Sequence, residues 1–280
     1  MRIVKRIALG LIAIVALAVI VLYAGSEWKM RRGYDVALTP VVVPHDVASV
    51  TEGARLAKIT GCRDCHGANG GGGVLLKDPM VGTIAAPAFA GVAARYSDAE
   101  LLRAIRHGVR RDGSSLFVMP TDAHTYLADD DAARIIAWIR SLKPLSGDSR
   151  ETMRLGPIGR ALVLTGKVPP SVHLPDVSAR TRPADMGRYF VDVSCAACHK
   201  LHEQSQSHDG KQTVPALAPI VAAYDPTAFR TLLRTGVGAS KRDLGLMRTV
   251  AVGGLQALSD SEIAAIQAYL TAEAARVPPQ

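Results

Sequence analysis

The four cysteines of this 280-residue chain fall in two matching arrangements, Cys62-x-x-Cys65-His66 and Cys195-x-x-Cys198-His199. C-x-x-C-H is the sequence form of c-type haem attachment. Two thiols three positions apart on a turning backbone can each reach one vinyl group of a porphyrin and hold it through thioether bonds. The adjoining histidine then comes up beneath the iron as proximal ligand. Cys62, Cys65 and His66 are therefore expected to hold one haem, and Cys195, Cys198 and His199 a second.

Other chemistries for two thiols fit less well. A zinc site would pair one C-x2-C with another about 15–20 residues away, whereas here 129 residues intervene. A thioredoxin-like dithiol would sit in an α/β pattern and would not require the histidines. A disulfide across so short a loop is strained. Four cysteines are also too few for a disulfide-built scaffold.

The sixth iron ligand is to be sought among methionines and histidines, because His/Met is a known axial pair that raises the potential. Most of the seven methionines read as core filler. Met119 and Met247 stand apart because they coincide when the chain is laid on itself at an offset of 128. Met80, His107 and His124 find no like residue at that offset. Met153 and Met186 lie elsewhere. The expected axial pairs are His66/Met119 and His199/Met247, each methionine in a Gly-containing loop ahead of the last helix of its unit.

That offset belongs to a longer repeat, and the repeat supplies the elements that must position these residues. Pro87, Tyr96, Arg106, Gly108 and Val109 meet Pro215, Tyr224, Arg234, Gly236 and Val237 at 128. The cysteines match at 133, because the first copy carries extra loop around residues 70–73. Leu127, Asp129, Ile135 and Trp138 meet Leu258, Asp260, Ile266 and Tyr269 at 131. An internal duplication with loop-sized insertions follows.

Each copy reads as helical. A helix is expected over 47–59 or about 183–193, leading into the cysteines. A second follows Ser97 or Asp225, good caps, the latter with an early proline. A third follows Asp129 or Ser259-Asp260, with apolar residues at helical spacing. Residues 144–183, rich in Pro and Gly, read as a linker in which 158–164 form a short helix packed on a domain.

Residues 7–24 carry no charge. As a helix at 1.5 Å per residue they would span roughly 27 Å, close to the ~30 Å hydrocarbon core of a bilayer. The stretch is longer than a signal-peptide core, and Leu22 spoils the one plausible cleavage site, so an uncleaved anchor is favoured over a cleaved signal. The formal net charge of +8 is mostly this flank: from residue 33 onward there are 27 Lys and Arg against 24 Asp and Glu. No basic stripe marks a nucleic-acid interface, so no nucleic-acid partner is expected.

With these residues in place the chain resembles class I cytochrome c domains in tandem. The resemblance covers roughly residues 46–145 and 181–275, and implies an all-helical wrap around one haem in each. It gives an all-α fold: a membrane anchor and juxtamembrane segment (1–45), a first cytochrome c domain (46–145), a linker (146–180) and a second domain (181–280).

More narrowly, residues 103–120 and 127–142 look like the cytochrome subunits of membrane-bound bacterial dehydrogenases, although two haems and an amino-terminal anchor depart from that pattern. The resemblance implies two covalent haem c groups and one-electron transfer. It also implies a redox partner protein (a dehydrogenase subunit, another cytochrome or an oxidase), and a single-pass position in the bacterial inner membrane with the haem domains in the periplasm.

Arg106, Arg110, Arg111, Arg230 and Arg234 are candidates to neutralise haem propionates. The competing reading is a dihaem redox enzyme, a peroxidase or thiosulfate-oxidising cytochrome, with His202 or His208 as an exchangeable ligand.

Overall fold

The computed structural model describes residues 1–276 except 146, 148, 150–151, 175–179, 208–211 and 242–243. The fold is mostly helical. The first element, α1 (Arg2–Arg31), is exposed along its apolar stretch apart from half-buried Leu22, and Ser26 is its only buried residue. It is long and apolar enough to cross a membrane.

The first unit is built from α2 (Val47–Ile59), α3 (Cys62–His66), a hairpin of β1 (Gly73–Asp78) and β2 (Gly82–Ala86), then α4 (Phe89–Ala93), α5 (Asp98–His107), α6 (Thr121–His124) and α7 (Asp129–Ser141). Next come β3 (Arg154–Leu155) and α8 (Pro157–Leu164). The second unit holds α9 (Met186–Val193), a 3-10 turn (Cys195–Ala197), a ladder of β4 (Ser205–Gln206) and β5 (Thr213–Val214), and α10 (Leu217–Ala222). It ends with α11 (Pro226–Thr235), α12 (Leu246–Gly253), a second 3-10 turn (Leu255–Ala257) and α13 (Asp260–Arg276).

Local chemistry sets these boundaries. Asp46 caps α2 by accepting from the Ser49 N–H at 2.9 Å. Ser97 and Glu100 form a reciprocal capping box on α5, and Gly108 closes that helix in the left-handed conformation. Asp225 caps α11, with Pro226 in its first turn and Gly236 at its end.

The first helix of each unit crosses the last at a glycine. A Cβ on Gly53 would lie 1.8 Å from the Arg134 carbonyl oxygen, and one on Gly187 would lie 2.1 Å from that of Ala265. Only glycine allows this approach of α2 to α7 and of α9 to α13. Around the crossings Leu56, Ile135, Ile136, Phe190, Ile263 and Leu270 are fully buried in one continuous core that runs through both units. Each such side chain stabilises the fold by about 1.5–3 kcal/mol.

Other contacts repeat as well. Arg106 pairs with Asp129 at 2.6 Å, and Arg234 with Asp260 at 2.8 Å. The Arg111 N–H donates to the Tyr96 hydroxyl, and the Ala239 N–H to that of Tyr224.

Three features depart from the sequence expectation. The segment expected as a plain linker contributes β3, which pairs antiparallel with β2 and makes a three-stranded sheet in the order β1-β2-β3. The short helix in that segment exists and packs on the first unit through the β1–β2 hairpin as expected, but it also packs on the end of α1, which was not expected. Met247 lies in the first turn of α12 and not in a loop, because Gly245 (φ 55°) turns the chain into that helix.

Candidate functional site

The segment before Cys62 is prepared by Gly61, whose left-handed backbone (φ 76°) ends α2 and begins the single turn of α3. Cys62 is buried and Cys65 half-buried on that turn. Burial pushes the Cys62 thiol up to about 11, against hydrogen bonding from Thr60, and raises Cys65 also. In the second motif Cys195 is pushed by burial up to about 12, and Cys198 is likewise raised, with the Asp122 carboxylate adding to it. Such thiols are protonated at neutral pH and are poor nucleophiles. Among the described residues no group of three His, Cys, Asp or Glu side chains converges as a bare metal site would require.

The histidines carry the clearest geometric signal. His66 Nδ1 lies 2.8 Å from the Pro87 carbonyl oxygen, and His199 Nδ1 lies 3.0 Å from that of Pro215. A carbonyl accepts only, so both rings must carry their proton on Nδ1. That leaves the Nε2 lone pair free for a metal, the arrangement by which ligating histidines are oriented. Burial, with a smaller push from His124, holds His66 below the ordinary imidazole range despite the Pro87 bond, so the ring is neutral as a ligand must be. The residues present therefore fit an iron porphyrin carried by C-x-x-C-H at both places.

Met119 and Met247 both pack, partly buried, against the core. Met119 follows Val118, whose φ of 69° is rare for a β-branched residue and marks a loop held firmly by its surroundings. The chain then turns through α6, where buried His124 places Nε2 3.0 Å from the Thr60 carbonyl oxygen, two residues before Cys62. The first methionine loop is thus tied back to the first motif.

The two sites are not copies in detail. Phe89 stacks on the His66 ring at 4.2 Å and meets Trp138 edge-on at 5.6 Å. The repeat places Leu217 and Tyr269 at those positions.

The motifs also meet the opposite units. The α3 turn packs on α12, where a Cβ on Gly253 would come 2.9 Å from Asp64 Oδ1. Reciprocally, α6 packs on the Cys195–Ala197 turn. Ser194 donates to the Ile59 carbonyl at 2.8 Å.

Two ionic clamps flank this contact. Arg55 binds Glu262 through two hydrogen bonds of 2.8 and 2.9 Å. Fully buried Asp131 accepts from Arg182 twice at 2.6 Å and from the Tyr189 hydroxyl at 2.5 Å. None of these clamp residues stood out in the sequence. The matched prolines did, and a conserved carbonyl acceptor was the signal they carried within the repeat.

Each arginine expected near a propionate has a partner within the protein. Arg106 pairs with Asp129 and also donates to the Leu127 carbonyl at 2.6 Å. Arg110 donates to Ser114 Oγ and the Ser115 carbonyl. Arg111 reaches Glu100, and Arg230 and Arg234 reach Asp260. His202 lies 3.5 Å from Glu273, and His208 falls outside the described residues.

A family model described as cytochrome c matches residues 50–143 and 184–272. Over 252 residues the chain is 29% identical to the fructose dehydrogenase cytochrome subunit of Gluconobacter japonicus, covering 79% of this chain and 52% of that protein. It is 27% identical over 263 residues to the gluconate 2-dehydrogenase cytochrome c subunit of Pantoea cypripedii, covering 80% and 59%. A 143-residue stretch is 31% identical to the cytochrome c subunit of a quinone alcohol dehydrogenase from Gluconacetobacter polyoxogenes, covering 47% and 29%. The chain thus spans little more than half the length of the first two relatives.

Proposed function

Since the chain belongs to the cytochrome c family, we propose that it is a membrane-anchored dihaem electron carrier. In this reading it passes electrons singly between a membrane-bound dehydrogenase and a downstream acceptor, with two domains at 46–145 and 181–280 on the periplasmic face. The observation that carries this reading is the pair of histidines, His66 and His199, each with Nδ1 on a proline carbonyl and Nε2 left for iron. Haem c held there supplies one-electron redox chemistry.

The chain's own residues set the conditions. Cys62 and Cys65, and Cys195 and Cys198, would hold the porphyrins covalently. His66 and Met119, and His199 and Met247, would hold the irons through side chains, and haem so held would supply electron transfer and not bond chemistry. Pro87 and Pro215 fix ring orientation and ligand basicity. Phe89 and Trp138 give the first site an aromatic wall, and the different residues at the second would give it a different polarity and hence a different potential. The packing of each motif on the opposite unit supports electron exchange between the haems within the chain. The relatives' names support a dehydrogenase as donor, and exposed α1 supports attachment to the membrane.

Axial ligation gives the test. In Met119→Ala or Met247→Ala, one of two irons should lose its methionine–iron absorption and bind added carbon monoxide, while the parent chain binds none. Carbon monoxide binding by the parent would favour the redox-enzyme reading.

A further inference from the structure

Outside α1, a contiguous apolar group among the described residues lies uncovered, centred on the region where the repeat gives the first unit extra length. Strand β1 is the edge of its sheet and exposes three consecutive apolar residues, Val74, Leu75 and Leu76, at 46%, 46% and 39%. Met80 at the hairpin tip is 52% exposed, and Ile158 in the first turn of α8 is 44% exposed. Single exposed apolar residues are ordinary. A contiguous group on an open strand edge is not, because it invites association unless something covers it.

These residues form one rigid piece. The Ile158 N–H donates to the Met80 carbonyl at 2.9 Å, and the Gly156 N–H donates to that of Val81 at 3.0 Å. Backbones touch where the strands meet the helix: a Cβ on Gly159 would lie 2.2 Å from the Val81 oxygen. The Asp78 carboxylate is spent on the turn, accepting from the Met80 and Val81 N–H groups.

The piece is joined to α1, and the order of contacts gives its depth. Lys29 Nζ donates to the Leu164 carbonyl at 2.7 Å, at the far end of α8. One turn back, Arg160 reaches Ser26 Oγ and Glu27 Oε2, both at 3.0 Å, and lies over the Tyr23 ring at 4.7 Å. Moving toward the start of α8 therefore moves down α1 from Lys29 to Tyr23, the edge of its apolar stretch. Pro157, Ile158 and the hairpin tip continue in that direction. Lys77 and Arg154 share one cross-strand row through Thr83, so basic side chains border the apolar ones. Apolar residues rimmed by Lys and Arg at the end of a membrane helix match a headgroup–acyl boundary.

We propose that β1, the hairpin tip and the first turn of α8 seat in the phospholipid surface of the bilayer that α1 crosses, and so hold the first unit flat against the membrane. The inference rests on α1 being membrane-embedded, as in the function proposed above.

Photo-cross-linking of the full holoprotein in vesicles of phosphatidylethanolamine and phosphatidylglycerol separates the two claims. p-Benzoylphenylalanine is placed in turn at Leu17, at Leu75 and at Val252, an exposed position in the second unit. Phospholipid adducts are expected at Leu17 and Leu75 and absent at Val252. Adducts at Leu17 without any at Leu75 would overturn the seating and leave the anchor intact. No adduct at Leu17 would remove the anchor, and the seating with it. Attachment of Leu75 to protein, a second copy or another chain, would also overturn the seating.

Discussion

Asp131→Ala is expected to lower the free energy of unfolding by about 3–5 kcal/mol, the cost of breaking a buried ion pair by deleting one partner. The carboxylate is fully buried and takes two 2.6 Å hydrogen bonds from Arg182, one of 2.5 Å from Tyr189 and one of 3.2 Å from Arg134. Without it the Tyr189 hydroxyl loses its acceptor in a buried setting. Arg182, whose side chain is 31% exposed, keeps its charge with partial access to water, which favours the lower end of that range. Because Asp131 stands on α7 while Arg182 precedes α9 and Tyr189 belongs to it, the loss falls mainly on the contact between units. Denaturant unfolding followed by haem absorbance and by helical circular dichroism should shift its midpoint in both signals. Asp131→Asn, which keeps an acceptor for Tyr189 and loses the charge, should fall between parent and alanine variant. An unchanged midpoint in the alanine variant would show that the clamp adds nothing to stability.

The second large effect concerns haem content. If each C-x-x-C-H holds its own haem as proposed, Cys62→Ser together with Cys65→Ser should leave one covalent haem per chain, half the parent's content. Serine is close to cysteine in size and lacks the thiol that attachment needs, so the double substitution is aimed at attachment. The α3–α12 contact gives the variant a further signature. The remaining haem should show a shifted potential, since the turn packed against α12 has lost its porphyrin and the local dielectric rises. Haem absorbance per chain after acid–acetone extraction reads the first effect, and a redox titration reads the second. Full haem content in the variant would contradict the assignment of the first motif.

How far the sequence disclosed this molecule follows the range of the forces involved. Helix boundaries set by near neighbours were readable: α2 spans 47–59 as expected, and α7 and α13 begin at Asp129 and Asp260. The hairpin was not. Residues 70–73 read as a glycine loop, and the apolar run Val74, Leu75 and Leu76 is too short for periodicity to separate strand from helix. Its pairing with β3, about seventy residues on, is a long-range event that no local signal announces.

The same holds at the site. The proposed ligands come from the C-x-x-C-H spacing and from the repeat, whereas the packing of each motif on the other unit depends on Ser194 meeting Ile59 and Arg55 meeting Glu262. Arg106 and Arg234 stood in one column of the repeat beside Asp129 and Asp260 in another. Reading those columns together would have given the ion pairs.

The central claim is that this chain carries two haems, one on each C-x-x-C-H. It is tested most directly by the intact mass of the purified protein, followed by mapping of its haem peptides. Two haem additions are predicted, one on the peptide holding Cys62 and Cys65 and one on that holding Cys195 and Cys198. A single addition, or recovery of either cysteine pair as free thiols, would contradict it.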